Sequence, residues 1–263
     1  MTGRDPLAIE IDTSKPHPAR MYDWFLGGKD NYPVDEQMAR QLLKLDARGR
    51  DMARVNRAFM HRATRWLAER GVRQFLDIGT GLPTADNTHE IAQHTAPHAR
   101  VVYVDNDPIV LAHARVLLSG SLEGATEYVD ADVHDPERIL KAARHTLDLG
   151  RPVAVMMLGI LNFVLDTEEA RSIVRTLMAA VPSGSHLALT HPTLELGGEG
   201  NEAAMRFWNE NATPPITARS RAEFASFLDG LELLEPGIVP CSRWRTNPRE
   251  PEVAQFGAVG RKP

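Results

Sequence analysis

The stretch Phe75–Thr84, FLDIGTGLPT, holds the residue types and spacing best suited to chemistry. A β-rich run ends at Asp77–Ile78, Gly79-Thr80-Gly81 makes a tight turn, and a helix is expected to open near Pro83–Thr84. Glycines let a ligand approach the backbone, and a helix N-terminus offers it unpaired N–H groups. The next β-rich run ends in an acid, Asp105, 24 residues beyond Gly81. A carboxylate there can accept hydrogen bonds from ribose hydroxyls. A third acid, Asp132, follows the third run in YVDADV and can accept from an exocyclic amine such as that of adenine. A dinucleotide fingerprint asks for a third glycine where this chain has Thr84. Acids on three successive strands suit a sugar, a base and a cationic amino-acid tail, and suit a pyrophosphate poorly. The candidate ligand contacts are Asp77, Gly79, Thr80, Gly81, Pro83, Asp105, Asn106, Asp132, Val133 and Leu158. Asp107, just before Pro108, is expected to cap a helix.

These residues need a sheet to position them. Arg73–Ile78, Arg100–Asp105, Thr126–Asp130, Pro152–Leu158 and Ser185–Thr190 read as strands. Helical patterns lie between them near 84–95, 108–118, 135–147 and 167–180. Such alternation predicts an α/β fold, a parallel sheet with helices on both faces. Further helices are expected near 200–211 and 219–228. The late runs Leu231–Val239 and Val253–Val259 predict an antiparallel hairpin at one edge. Residues 1–18 read as an extended lead-in, and 19–70 as helical with a break at Gly27–Gly28. Val55, Phe59, Ala63 and Trp66 make one apolar helix face. Arg50, Arg54, Arg57 and His61 make a basic one, most simply a solvated surface.

The sequence resembles the class I S-adenosylmethionine-dependent methyltransferases. Within them it is similar to an actinobacterial S-adenosyl methyltransferase family once known only as a domain of unknown function. The segments that carry the closer likeness are ARMYDWFLGGKDNYPVD (19–35), FLDIGTGLPT, YVDNDP (103–108), LNFVLD (161–166) and EPGIVPCSRWR (235–245). The resemblance implies a Rossmann-like, seven-stranded, mostly parallel sheet. It implies S-adenosylmethionine as cofactor, with S-adenosylhomocysteine as its product. The division expected is an N-terminal extension and helical lid over 1–70 and a cofactor-binding domain over 71–263.

Methyl transfer is an in-line displacement in which the protein aligns the nucleophile and excludes water. Acceptor-side residues are expected after the fourth and fifth strands. Leu158-Gly159-Ile160-Leu161-Asn162-Phe163 is not the Asn/Asp-Pro-Pro-aromatic pattern of many enzymes that methylate amino groups, which argues against nucleic-acid bases. Asn162 and His191 are the catalytic candidates, His191 as a base for an oxygen nucleophile or as a structural histidine. His89-Glu90-x-x-x-His94 is one residue too long for a zinc helix, and no metal is expected. The lid candidates are Arg20, Tyr22, Asp23, Gly27, Gly28, Lys29, Asn31 and Tyr32, joined on the acceptor side by Phe163. The same segment could instead be a structural cap.

A net charge of −5 gives no bulk attraction to nucleic acid, and one cysteine excludes an internal disulfide. The longest apolar run, Val153–Leu165, is too short to span a bilayer, and the N-terminus has no signal-like apolar stretch. A cytoplasmic enzyme acting on a small molecule is the expectation, with O- and N-acceptors both open. A cofactor-binding sensor without turnover is the alternative. A nucleotide-dependent oxidoreductase is disfavoured by Asp77 and the missing glycine.

Overall fold

The computed structural model describes residues 12–83, 86–110, 112, 123–246 and 250–263. The expectations for residues 1–11, for Thr84 and for most of the 108–118 helix lie outside the described residues. Three helices lead, α1 (Pro18–Leu26), α2 (Pro33–Leu45) and α3 (Gly49–Glu69). Then come β1 (Gln74–Ile78), α4 (Thr88–Thr95), β2 (Arg100–Asp105), β3 (Ala125–Asp130), α5 (Pro136–Ala143) and β4 (Ala154–Leu158). The chain continues through α6 (Thr167–Ala179), β5 (His186–Pro192), α7 (Gly198–Asn211), α8 (Arg221–Ser226), β6 (Glu232–Leu233), β7 (Val239–Pro240) and β8 (Gln255–Arg261).

The strand order is β3-β2-β1-β4-β5-β8-β6, with β7 also on β8. β1 to β5 are parallel, and β8 runs antiparallel to β5. The edge hairpin differs from expectation in one respect. Leu231–Val239 breaks into two short strands that meet β8 at separate registers, because the chain turns at Gly237, whose N–H bonds Leu234 O at 2.9 Å. Among the described residues the sheet thus comprises the expected seven strands, or eight where β6 and β7 are taken separately. Strand order reverses between β1 and β4, so their carboxyl ends flank a crevice, the usual ligand position in such sheets.

Period-two alternation decides which face each side chain joins. Leu76 and Ile78 enter a core with Val102, Val104, Val155 and Met157 beneath α5, α6 and α8. Phe75 enters the opposite core with Val101, Tyr103 and Met156 beneath α3 and α4. By the same parity Asp77 points to the α3–α4 side. α3 buries Val55, Phe59, Ala63 and Leu67 there, while Trp66 is only partly buried and stacks under Arg70 and Arg245. Arg62 pins α3 to the late segment, donating to Cys241 O (2.8 Å) and Trp244 O (2.9 Å). Trp244 in turn packs edge-on against Phe59. α3 is thus a layer of the α/β core, and the boundary expected at Arg70 separates no packing unit. The helical cap comprises α1, α2 and α7, which share a cluster of Met21, Trp24, Met38, Ala39 and Trp208.

The α1–α2 corner is held by two acids. Asp35, with no exposed surface, accepts from His17 N–H, Tyr32 N–H and Arg20 Nε at 2.8–2.9 Å. Asp23 accepts from Asp30 N–H (2.9 Å) and Asn31 Nδ2 (3.0 Å). A Cβ on Gly28 would fall 1.9 Å from Asp23 Oδ1, so this close approach requires glycine. Among the described residues no helix is long and apolar enough to cross a membrane. Arg20→Met should leave Asp35 buried without its cation and cost about 3 kcal/mol. Urea melts at pH 7 check this, and a loss below about 1 kcal/mol would show that the two backbone N–H groups suffice.

Candidate active site

The glycine turn lies at the carboxyl end of β1 and is fixed from three sides. Gly79 N–H bonds Val104 O (2.8 Å), and Gly81 N–H bonds Asp105 Oδ2 (2.9 Å). A Cβ on Gly79 would sit 2.6 Å from Ile160, so the turn packs directly on the segment after β4. Gly81 has φ +65, and a Cβ there would meet nothing within 4 Å. Backbone and open space are therefore presented together at that point. The helix expected near Pro83 begins later, at Thr88. Asn87 caps it, and Glu90 Oε2 accepts the Asn87 N–H at 2.6 Å.

Behind the turn lies a narrow cleft, with an internal volume of only about 20 Å³, lined by Arg57, Asp77, Thr80, Thr88, Tyr103 and Tyr128 among others. The Thr88 hydroxyl donates to Asp77 Oδ2 at 2.6 Å. Burial pushes the Asp77 carboxyl up to about 6, opposed by the Thr88 bond and the Arg57 charge. Tyr103 accepts the His89 N–H (2.8 Å), and Tyr128 shares a 2.6 Å hydrogen bond with Thr80. His89 and Glu90, two members of the zinc-like pattern, thus serve the structure of α4. The cleft is bordered by one carboxyl group, Asp77, and one guanidinium, Arg57, which also donates to Asp86 O and Asn87 Oδ1.

Asp105 spends one bond per oxygen, on Gly81 N–H and on Asp107 N–H (3.0 Å). Each carboxylate oxygen accepts more than one donor, so a diol can still bind there. Burial raises its carboxyl above the ordinary value. Asp107 caps the following helix as expected, accepting from Ile109 N–H at 2.8 Å. Asp132 is half-exposed and accepts from Asn106 Nδ2 (2.7 Å) and from His134 N–H (2.9 Å). The Val133 side chain belongs to the core, which leaves only its backbone for a ligand. Pro83 lines the cleft, and Leu158 packs against the core at the end of β4.

His191 is not placed to act as a base. It has no exposed surface, its Nδ1 bonds Pro192 O (2.8 Å), and Arg219 donates to its Nε2 (2.7 Å). Burial lowers it to about 4, with Arg219 adding to that effect. The same Arg219 guanidinium gathers Leu161 O (2.9 Å) and Val164 O (2.7 Å), so arginine and imidazole shape the turn that carries Asn162. Asn162 is 7% exposed and its Oδ1 is buried without a hydrogen-bond partner. Phe163 is half-buried beside it.

The cap reaches the site at three points. Ala19 packs on Leu82, Ile109 and Val110 beside the glycine turn. His17 Nδ1 lies 3.0 Å from Asp107 Oδ2. Tyr22 Oη accepts from Asn56 Nδ2 (3.2 Å) and donates to Ala53 O (3.0 Å). Arg20, Asp23, Gly28 and Asn31 serve the corner itself. Gly27 caps α1, Tyr32 lies under Arg20, and Lys29 is exposed.

A family model described as S-adenosyl methyltransferase matches residues 5–263. The chain belongs to this family. A structure of a DUF574 family protein from Streptomyces avermitilis is 46% identical over 97% of this chain and 100% of its own, with a TM-score of 0.92. A second, a putative methyltransferase from Thermobifida fusca, is 39% identical over 95% of this chain and 96% of its own, with a TM-score of 0.87. No curated protein matches the chain. The cofactor of an S-adenosyl methyltransferase is S-adenosylmethionine, and the donor set tests well against it. Gly81 leaves room beside the turn, Asp105 keeps acceptor capacity that a diol could use, and Asp77 and Arg57 carry the charges that an ammonium and a carboxylate would need.

Sequence reasoning missed Arg57, Thr88, Tyr103, Asn56 and Gln255. Arg57 was visible as part of a basic helix face, but its place over β1 depends on α3 folding back across the sheet.

The raised Asp77 carboxyl has a defined sign. The folded state holds its proton from about pH 4 to 6 while the unfolded state has lost it. Its stabilising contribution is therefore present below pH 4 and is lost as pH rises through 6. Asp77→Asn should match the parent in stability near pH 4 and exceed it by about 2–3 kcal/mol at pH 8. Denaturant melts at the two pH values check this, and a variant equally stable or weaker at pH 8 contradicts it.

Proposed function

We propose that the chain is an active S-adenosylmethionine-dependent methyltransferase with a small-molecule acceptor. The observation that carries this is the cleft behind Gly81, which Asp77 and Arg57 both border. Asp77 faces the ammonium of the amino-acid tail and Arg57 its carboxylate. Asp105 receives the ribose hydroxyls while its existing bond keeps the Gly81 turn in place. Asn106, Asp132 and the Val133 backbone border the adenine, with Thr80, Gly79 and Pro83 supporting the turn and Leu158 beneath the tail. When bound, the cofactor supplies an electrophilic methyl group on a sulfonium. The chain supplies alignment and exclusion of water. Residues 12–48 form a lid over both cofactor and acceptor, and the contacts of Ala19, His17 and Tyr22 support that role. Its internal bonds make the Arg20–Asp35 corner a rigid piece that moves as a unit.

Calorimetry should give binding of S-adenosylhomocysteine and none of NAD. Asp105→Ala should weaken it by about 1–3 kcal/mol through lost hydrogen bonds to a carboxylate. Unchanged affinity in the folded variant would remove the ribose assignment.

Hydrogen exchange tests the lid. S-adenosylhomocysteine should slow amide exchange across 20–35 more than across 231–259, because a ligand that holds the covering piece closed suppresses the opening that exposes its amides. Equal exchange in both regions would reduce the corner to a structural cap.

A further inference from the structure

The turn after β4 carries a second polar cluster, apart from the residues assigned to the cofactor above. Three amides converge on Gly159. A Cβ at Gly159 (φ +74) would lie 3.8 Å from Asn56 Nδ2, 3.9 Å from Gln255 Nε2 and 4.0 Å from Asn162 Oδ1. The neighbouring groups are paired. Asn56 Oδ1 accepts from Thr190 Oγ1 (2.7 Å) and Gln255 Nε2 (3.1 Å), and Asn56 Nδ2 donates to Tyr22. Asn162 Oδ1 is the exception, a buried acceptor with no donor. Leaving such an oxygen unpaired is costly, and an unpaired group of this kind calls for an explanation.

Gly159 lies at the switch between β1 and β4, one residue from the Ile160 side chain that supports the glycine turn. The side chains that meet there are uncharged, three amides with the hydroxyls of Thr190 and Tyr22 bonded to Asn56. Burial moves the Tyr22 phenol further from ionisation. The imidazole of His191 is closed by Arg219 and Pro192. Nothing in this group takes a proton from an alcohol, and nothing in it holds an ammonium by charge.

We propose that Asn162 Oδ1 receives an N–H of the methyl acceptor, and that the acceptor is a small molecule reacting through an uncharged amine or ring nitrogen. This rests on the methyltransferase reading above. The nitrogen lone pair forms the new bond to the methyl carbon, and the carbon–sulfur bond breaks with its electron pair remaining on sulfur. The nitrogen, now positive, sheds one proton to water, so no protein base is required. Asn56 and Gln255 hold the N–H-facing wall, and Gly159 keeps the space that a side chain would fill.

The test combines CD3-labelled S-adenosylmethionine, a small-molecule extract of a Streptomyces culture, and the intact protein. Mass spectrometry and NMR then locate the label. CD3 on nitrogen supports the proposal. CD3 on oxygen, sulfur or carbon overturns it, as does no labelled product from a protein that binds S-adenosylhomocysteine. A parent protein that fails to bind S-adenosylhomocysteine overturns the methyltransferase reading instead. Asn162→Leu removes the acceptor oxygen at similar volume and should raise KM for the labelled acceptor at least fivefold. Its Kd for S-adenosylhomocysteine should stay within twofold of the parent. Asn162→Asp keeps an acceptor oxygen and should hold KM within threefold. If Asn162→Leu turns over like the parent, or if both variants lose cofactor binding alike, Asn162 is structural and the assignment fails.

Discussion

Asp77 keeps a carboxyl group almost out of water at the end of the central strand, and much of the site is arranged around that fact. Its burial follows from parity: Leu76 and Ile78 are needed in one core, so Asp77 must face the other. There it meets the Thr88 hydroxyl from α4 and the cleft bordered by Arg57 from α3. Burial lifts its ionisation to about 6, a cost in stability at neutral pH. Sites of this kind trade stability for binding, because a ligand cation repays what the empty fold cannot. The proposed cofactor carries such a cation next to an anion, which the pairing of Asp77 with Arg57 suits.

The two halves of the site are mechanically joined. Gly79 abuts Ile160, so the turn that would hold the cofactor and the turn that carries Asn162 rest on each other. Arg219 fixes the second turn from within by collecting its carbonyls, and His191 completes that cage. A buried arginine satisfied by carbonyl oxygens is a rigid device, since losing any one acceptor leaves a desolvated charge. Asp105 does the equivalent for the first turn through Gly81 N–H. Placing reacting groups on supports of this stiffness favours alignment in a displacement reaction.

What the sequence revealed follows the reach of each signal. β2 and β4 were legible because interior parallel strands are nearly unbroken apolar runs, and the Asp105 position followed from strand–turn–strand spacing. The start of α4 was misplaced because Pro83 mimics a first helical position, whereas the decisive signal was Asn87 with Glu90 three residues on. His191 was found in sequence but its role was not, since nothing local announces that Arg219, 28 residues later, closes its ring. In the motif over 19–35, Arg20 pairs with Asp35 and Asn31 with Asp23, and Gly28 is there because Asp23 leaves no room for a Cβ. Arg57 and Asn56 belong to contacts between α3 and the sheet, which no local pattern encodes.

The claim on which the rest turns is that one cleft, between the glycine turn, α3 and the cap, takes the cofactor. A crystal structure of the protein with S-adenosylhomocysteine tests it most directly. The account predicts the ribose on Asp105 and the amino-acid tail inside the cleft between Asp77 and Arg57, with α1 closed above it. A ligand seated elsewhere, or a tail that leaves Asp77 and Arg57 unengaged, would contradict it.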